Sequence, residues 1–390
     1  MDGWSHIKAA DFIDFNPRES LPKNTEVKKV AMECLQTFTR DVAGYEVAPF
    51  NGGTKFRNGD TIMARITPCL ENGKTAQVDF LGEDEIGCGS TEFIVMRAKA
   101  EISDKDFVYY LAISPFFRDI AIQSMIGSSG RQRVQQSVLD ATELFVPPLP
   151  KQIEIGRTLR TLDDKIANNA KINHHLEQMA QAIFKSWFVD FEPFGGEMPS
   201  DWREGTLADI ASVTMGQSPD GSSYNESGTG TVFYQGRTDF GSRFPTRRLF
   251  TTQPKRLAID GDILVSVRAP VGDLNVATEP CCLGRGLAGI KSKSGNQSFI
   301  LYTMFALKQQ LDMFNGEGTV FGSINKNDMA ALSVVIPTDE VVQQFESIVK
   351  PMDATIRNNF DEICHLQATR DALLPRLMSG ELSVTDLAAK

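Results

Sequence analysis

Counting forward from Leu159 by alternating threes and fours puts Leu159, Leu162, Ile166, Asn169, Asn173, Leu176, Ala180, Ile183 and Trp187 on one line. Most are apolar, as a helical seam with a 3.5-residue period requires. The seam returns in phase 190 positions later as Val349, Met352, Ile356, Asn359, Ile363, Leu366, Arg370, Leu373 and Leu377. No proline interrupts Lys151 to Glu192; in the second copy Pro351 lies near the start and Pro375 near the end. The pattern predicts two long helices, each of about 35 residues and about 50 Å. The repeat is also legible as text. LDDKIANN, from Leu162, and MDATIRNN, from Met352, share Asp163/Asp353, Ile166/Ile356, Asn168/Asn358 and Asn169/Asn359.

Each helix follows a proline-bearing exit from a strand, ELFVPPLPKQ at Glu143 and SVVIPTDEVVQQ at Ser333. Further upstream, FRNGDTIMARI (Phe56 to Ile66) resembles AIDGDILVSVR (Ala258 to Arg268). Gly59-Asp60 and Gly261-Asp262 read there as turns before a strand. The chain therefore reads domain, helix, domain, helix: residues 1–150, 151–192, 193–340 and 341–383, with a tail at 384–390. The expected fold class is α+β. Two mixed strand/helix globular domains are joined by two long helices in an antiparallel coiled coil, with a pseudo-twofold internal repeat. Asn169 and Asn359 in the seam would specify register rather than maximal stability. The alternative is that each helix packs only on its own domain.

A chain of 390 residues is too long for one ordinary core, which agrees with two domains. No apolar run approaches the roughly 20 residues of a membrane helix. The opening MDGWSHIKAADFIDF lacks the basic start and apolar stretch of a signal peptide. A cytoplasmic protein, away from membranes, is expected. The six cysteines form no CxxC pair, and the four histidines are scattered apart from His174-His175, so no metal site is expected. Net charge is −10, whereas a purely non-specific nucleic-acid binder would be basic. The charge is uneven. Thr231 to Lys293 holds ten basic and five acidic residues, a net +5; Glu197 to Gly230 holds one and six, a net −5.

The motifs argue against catalysis. NGKT at Asn72 looks like the end of a phosphate-binding loop, but Pro68 stands where its first glycine belongs. No GxSxG, HExxH, GxGxxG or [DNS]PP[YFW] occurs; Asn16-Pro17-Arg18 is a partial echo of the last and reads as a turn. Asp163-Asp164 fall on a helix and read as solvated. The domains do carry small-residue loops with Arg, Lys, Gln and Asn. GSSGRQRVQQS (Gly127 to Ser137) and GEGTVFGSINKND (Gly316 to Asp328) precede the two helices at matching places. Arg suits guanine and Gln suits adenine, so these loops fit nucleic acid better than a small metabolite.

These residues resemble the specificity subunit of type I restriction–modification enzymes over essentially the whole chain. The resemblance rests on KFRNGDTIMARITPCLENGKTA (from Lys55), GSTEFIVMR (from Gly89) and LEQMAQAIFKSWFVDFEPF (from Leu176). It continues in SVRAPVGDLNVATEPCCLGRGLAGI (from Ser266) and LLPRLMSGEL (from Leu373). It implies a non-catalytic subunit whose domains are target recognition domains, each reading one half of a split, asymmetric double-stranded DNA sequence. The helices would set the half-site spacing and dock two modification subunits that methylate adenine. A restriction/translocase subunit would complete the enzyme. S-adenosylmethionine, ATP and Mg would sit on those partners and no cofactor on this chain. Candidate DNA contacts by type and position are Thr54, Lys55, Arg65, Lys74, Arg131, Gln132 and Arg133 in the first domain. In the second they are Tyr224, Gln235, Arg237, Arg247, Arg268, Arg285 and Lys326. Arg65 and Arg268 follow predicted strands, and internal ion pairs are the alternative role for them. Other readings are a structural adaptor, an NTPase or methyltransferase, or the guide of a lone methyltransferase.

Overall fold

The computed structural model describes residues 3–316 and 322–388. It divides into two compact units, Met1–Lys171 with Asn359–Lys390, and Ile172–Asn358. Each unit holds one sheet-rich domain and a length of both long helices.

In the first unit, one antiparallel sheet runs in the order Ile13–Phe15, Phe93–Ala98, Thr61–Ala64, Thr75–Gln77. A second sheet runs Glu46–Pro49, Glu26–Val30, Gly87–Gly89, Thr54–Phe56, with one parallel pair. Ser5–Lys8 pairs with Glu143–Val146, the strand that feeds the long helix. Helices Lys105–Ile113 and Pro115–Gln123 complete the core. Asp104 caps the former by accepting from Asp106 and Phe107 amides at 3.1 and 2.9 Å.

The second unit repeats this plan. Its first sheet runs Ala211–Met215, Leu287–Ser292, Ile263–Ser266, Leu274–Val276, and Arg203–Thr206 pairs with Ser333–Ile336. The other sheet has five strands and again one parallel pair, Thr231–Tyr234 with Cys281–Leu283. The Gly-Asp turns match closely. Gly59 and Gly261 take φ of +89° and +84°, and Asp60 and Asp262 each accept an amide three residues back, at 2.8 and 2.9 Å. Three residues past the end of each of these strands comes a cis proline bond, Thr67–Pro68 and Ala269–Pro270.

The long helices run Leu149–Phe188 and Asp339–Met378. The first stops short of Glu192 because Phe191 adopts φ +54°, with Val189 and Asp190 amides both turned onto the Lys185 carbonyl. The second stops short of 383 at Gly380, φ +75°, where the Leu382 amide closes on the Arg376 carbonyl at 3.0 Å. A short helix, Val384–Ala388, follows. Pro351 and Pro375 lie inside the second helix, which continues through both.

Within the first unit the two helical lengths pair antiparallel: Asn169 donates to Glu362 at 2.7 Å, and Arg370 to Asp163 at 2.7 Å. Within the second, Asn173 donates to the Ile356 carbonyl at 3.1 Å, and Phe184 and Phe188 meet Phe345. Every seam position is buried or half-buried. They divide in role, however. Leu159 and Leu373 enter the first domain's core, and Ile183, Val349 and Met352 enter the second's. Leu162, Ile166, Asn169, Leu176, Ile356, Asn359, Ile363 and Leu366 belong to neither core. The helices thus pair with each other and also pack on the domains.

Candidate nucleic-acid interface

Main-chain bonds assemble one edge of each domain in the same way. In the first, the Thr67 amide donates to the Gln132 carbonyl, Val134 to Arg65, and Arg65 to Glu92, at 3.1, 2.9 and 2.9 Å. In the second, Ala269 donates to Gly322, Ile324 to Val267, and Val267 to Gly286, at 3.0, 3.1 and 2.9 Å. The strand end, the turn before the next strand and the small-residue loop are therefore stitched together twice. Of GEGTVFGSINKND, residues 317–321 lie outside the described residues.

The first domain's edge opens into a groove of about 460 Å³ lined by Arg18, Glu19, Thr54, Lys55, Arg65 and Thr91, among others. Gly53 (φ +109°) brings the backbone so close that a Cβ would stand 2.1 Å from the Gly89 carbonyl oxygen. Thr54 donates to the Ser90 carbonyl at 3.0 Å and Lys55 to the Glu19 carbonyl at 2.6 Å. Glu19 is gripped by Arg57 and Arg97, each at 2.7 Å. The Arg57 hydrogen bond, with help from Arg97, holds its carboxyl below the ordinary range against the opposing effect of burial. Arg65 donates to the Val134 carbonyl at 3.3 Å and makes no ion pair among the described residues. Arg133 is neutralised by Glu92 at 2.6 Å, and Gln132 is half-buried beside it. Arg131 and Arg18 are exposed, with no ion pair among the described residues. Lys74 turns inward to the Met32 carbonyl at 3.0 Å, so the end of NGKT reaches for its own backbone.

The second domain's edge brings together Gln235, Arg268, Arg285 and the start of the helix Lys326–Ala330. The Gly284 amide donates to the Tyr234 carbonyl at 2.8 Å, setting Gln235 beside Arg285, and Arg268 bridges to Ser323. These four side chains are exposed, and the three cations make no ion pair among the described residues. The other candidates do not join them as free groups. Arg237 is paired with Asp273 and Arg247 with Glu279. Tyr224 points inward, donating to the Pro219 carbonyl at 3.1 Å, with its ring tilted against Phe233 at 4.9 Å.

A family model described as "Type I restriction modification DNA specificity domain" matches residues 1–178 and 199–364, once per copy of the repeat. The chain belongs to the type I restriction–modification DNA specificity family. The putative type I restriction enzyme MjaX specificity subunit of Methanocaldococcus jannaschii is 29% identical over 343 residues, spanning 84% of this chain and 79% of that one. The HindI specificity subunit of Haemophilus influenzae is 24% identical over 426 residues, spanning 88% and 90%. Among solved structures, the S subunit of a type I system from M. genitalium has the same fold, with a TM-score of 0.64 at 16% identity over 96% of each chain. As a member of this family the chain is a specificity component serving DNA sequence recognition, not a catalytic one. No helix among the described residues is long and apolar enough to cross a membrane.

Sequence reasoning missed Arg18, which was visible only as part of a turn. It also missed a buried cluster beneath each domain. Asp163 is not solvated: it accepts from Tyr110 at 2.6 Å and from Arg370 at 2.7 Å. Its repeat, Asp353, accepts from Tyr302 at 2.8 Å and from Arg243 at 2.6 Å. The recurrence of Asp in LDDKIANN and MDATIRNN was the signal for both.

Proposed function

We propose that this specificity subunit reads an asymmetric, bipartite double-stranded DNA target, one half-site per domain, and docks two modification subunits on its helices. The observation that carries the reading is the doubly built edge. One main-chain framework presents different side chains in the two domains. Arg285 stands where the first domain has Thr91, Arg268 where it has Ile66, and Ser323 where it has Arg133. Identical frameworks with unlike side chains suit two half-sites of unlike sequence. Exposed Ile172 and Met179 on the first helix and Ile348 on the second leave apolar surface for docking. The modification subunits would carry S-adenosylmethionine and methylate adenine. A restriction subunit would bring ATP and Mg.

The test is to co-express the chain with its modification subunit in a methylation-free host and map N6-methyladenine by sequencing. A split motif with two unlike halves and a fixed gap is expected. A stable complex with a competent methyltransferase and no methylation would favour a structural adaptor instead.

The free cations should matter more than the paired ones. In the assembled complex, Arg268→Ala and Arg285→Ala should each weaken specific binding by about 1–3 kcal/mol. Arg247→Ala, whose partner is Glu279, should stay within about 0.5 kcal/mol. Gel-shift titrations at several salt concentrations measure both. An equal loss for all three would show that ion pairing does not decide which arginines contribute to binding.

A further inference from the structure

Each domain sends one buried arginine into the helices of its own unit. In the second unit Arg243 is 6% exposed. It donates to Glu177 of the first long helix at 3.1 Å and to Asp353 of the second at 2.6 Å. Tyr302, in the domain helix Gln297–Ala306, donates to the same Asp353 oxygen at 2.8 Å, and the guanidinium lies 5.7 Å from its ring. In the first unit Arg40, also 6% exposed, meets Asp164 at 2.6 Å and Asp41 at 2.9 Å. Next to it Tyr110 and Arg370 converge on Asp163.

The two arginines hold the same structural position. Arg40 and Arg243 each accept, through the backbone carbonyl, the amide of an edge-strand residue, Gln77 and Val276, at 2.8 and 2.9 Å. Their surrounding sequences, QTFTRDVAG and GSRFPTRR, have little else in common. In both copies a buried arginine at this position reaches a carboxylate on a long helix, one helix for Arg40 and both for Arg243.

Stability alone does not call for such a contact. Buried ion pairs stabilise no better than well-packed apolar groups of similar size, because desolvation offsets the attraction. An apolar seat, however, tolerates sliding, whereas the Arg243 guanidinium, held by carboxylates on both helices, has one position, and Arg40 is held likewise to the first helix alone, through Asp164. We propose that Arg243 and Arg40 are positioning residues that fix the setting of each reading domain on its helices, and thereby the spacing at which two half-sites are accepted. The inference rests on the bipartite reading proposed above.

The experiment uses the full chain with its modification subunit and a library of sites whose gap is the native length or one base pair shorter or longer. The wild type should methylate one motif at one gap. In Arg243→Gln both half-sites should be unchanged, but preference for the native gap should fall about tenfold, with Arg243→Lys intermediate. A merely structural role would lower methylation at all gaps alike and leave that ratio fixed. An unchanged ratio in an assembled complex, or altered half-site bases, overturns the proposal. If Arg243→Gln does not fold, Tyr302→Phe decides by the same ratio: a looser gap supports the proposal and an unchanged one overturns it. A wild-type chain with no bipartite motif would instead overturn the proposed function, before any variant is compared.

Discussion

Phe345→Ala is expected to destabilise the second unit by about 3–5 kcal/mol. Phe345 is fully buried on the second long helix, and five aromatic rings surround it. Phe188, Phe184, Trp187, Tyr302 and Phe299 lie with centroids at 5.3, 5.7, 6.2, 6.2 and 6.4 Å. Three of these rings come from the first long helix and two from the domain helix Gln297–Ala306, so no single element can collapse into the space left behind. The loss combines the transfer term of a buried ring with a cavity term. Against a typical total of about 5–15 kcal/mol it is a large share. Denaturant unfolding followed by tryptophan fluorescence suits the measurement, because Trp187 and Trp202 sit in this cluster. Gln344→Ala, one residue away and exposed, should shift the midpoint by no more than about 0.5 kcal/mol. Equal shifts for the two variants would show that the cluster does not hold the unit together.

The second large effect is expected at Asp163→Ala, again about 3–5 kcal/mol but now in the first unit. Asp163 and Arg370 are each 5% exposed. Removing the carboxylate leaves a guanidinium buried without that partner and a tyrosine hydroxyl without its acceptor. Arg370 keeps Asp371, an exposed neighbour at 2.9 Å, so much of the loss is the cost of a buried charge left poorly compensated rather than the value of the pair. A double-mutant cycle separates the two. Asp163→Ala with Arg370→Met should be markedly more stable than Asp163→Ala alone, since the second change removes the stranded group. Glu362→Ala breaks the partly exposed Lys165 pair and the Asn169 bond, and should cost far less than Asp163→Ala. If the double variant is no better than the single, the stranded-charge account fails.

The helices, their antiparallel pairing and the doubled domains were legible because each leaves a periodic or repeated trace. The seam at Leu159 and Val349 could be counted, and the Gly-Asp turns could be aligned. Faces and partners were not. The aligned turns set Arg65 against Val267 and Arg268 against Ile66. The two arginines therefore stand one residue out of step, and successive strand residues point to opposite faces. Arg237 and Arg247 looked like free cations because Asp273 and Glu279 lie more than 30 residues away in the chain. Asp163 looked solvated for a related reason: Tyr110 and Arg370 reach it from 53 and 207 residues away. A helix pattern identifies the side facing a partner helix, not which polar residues another domain will cover.

The stitching of each reading edge by amides and carbonyls has an evolutionary consequence. No side chain at Thr91, Arg268, Arg285 or Ser323 holds those loops in register; the main chain does. Substitution at these positions should therefore carry little folding penalty. If the edges read the two half-sites as proposed, a chain of this kind can take on a new target by point substitution while keeping its scaffold intact.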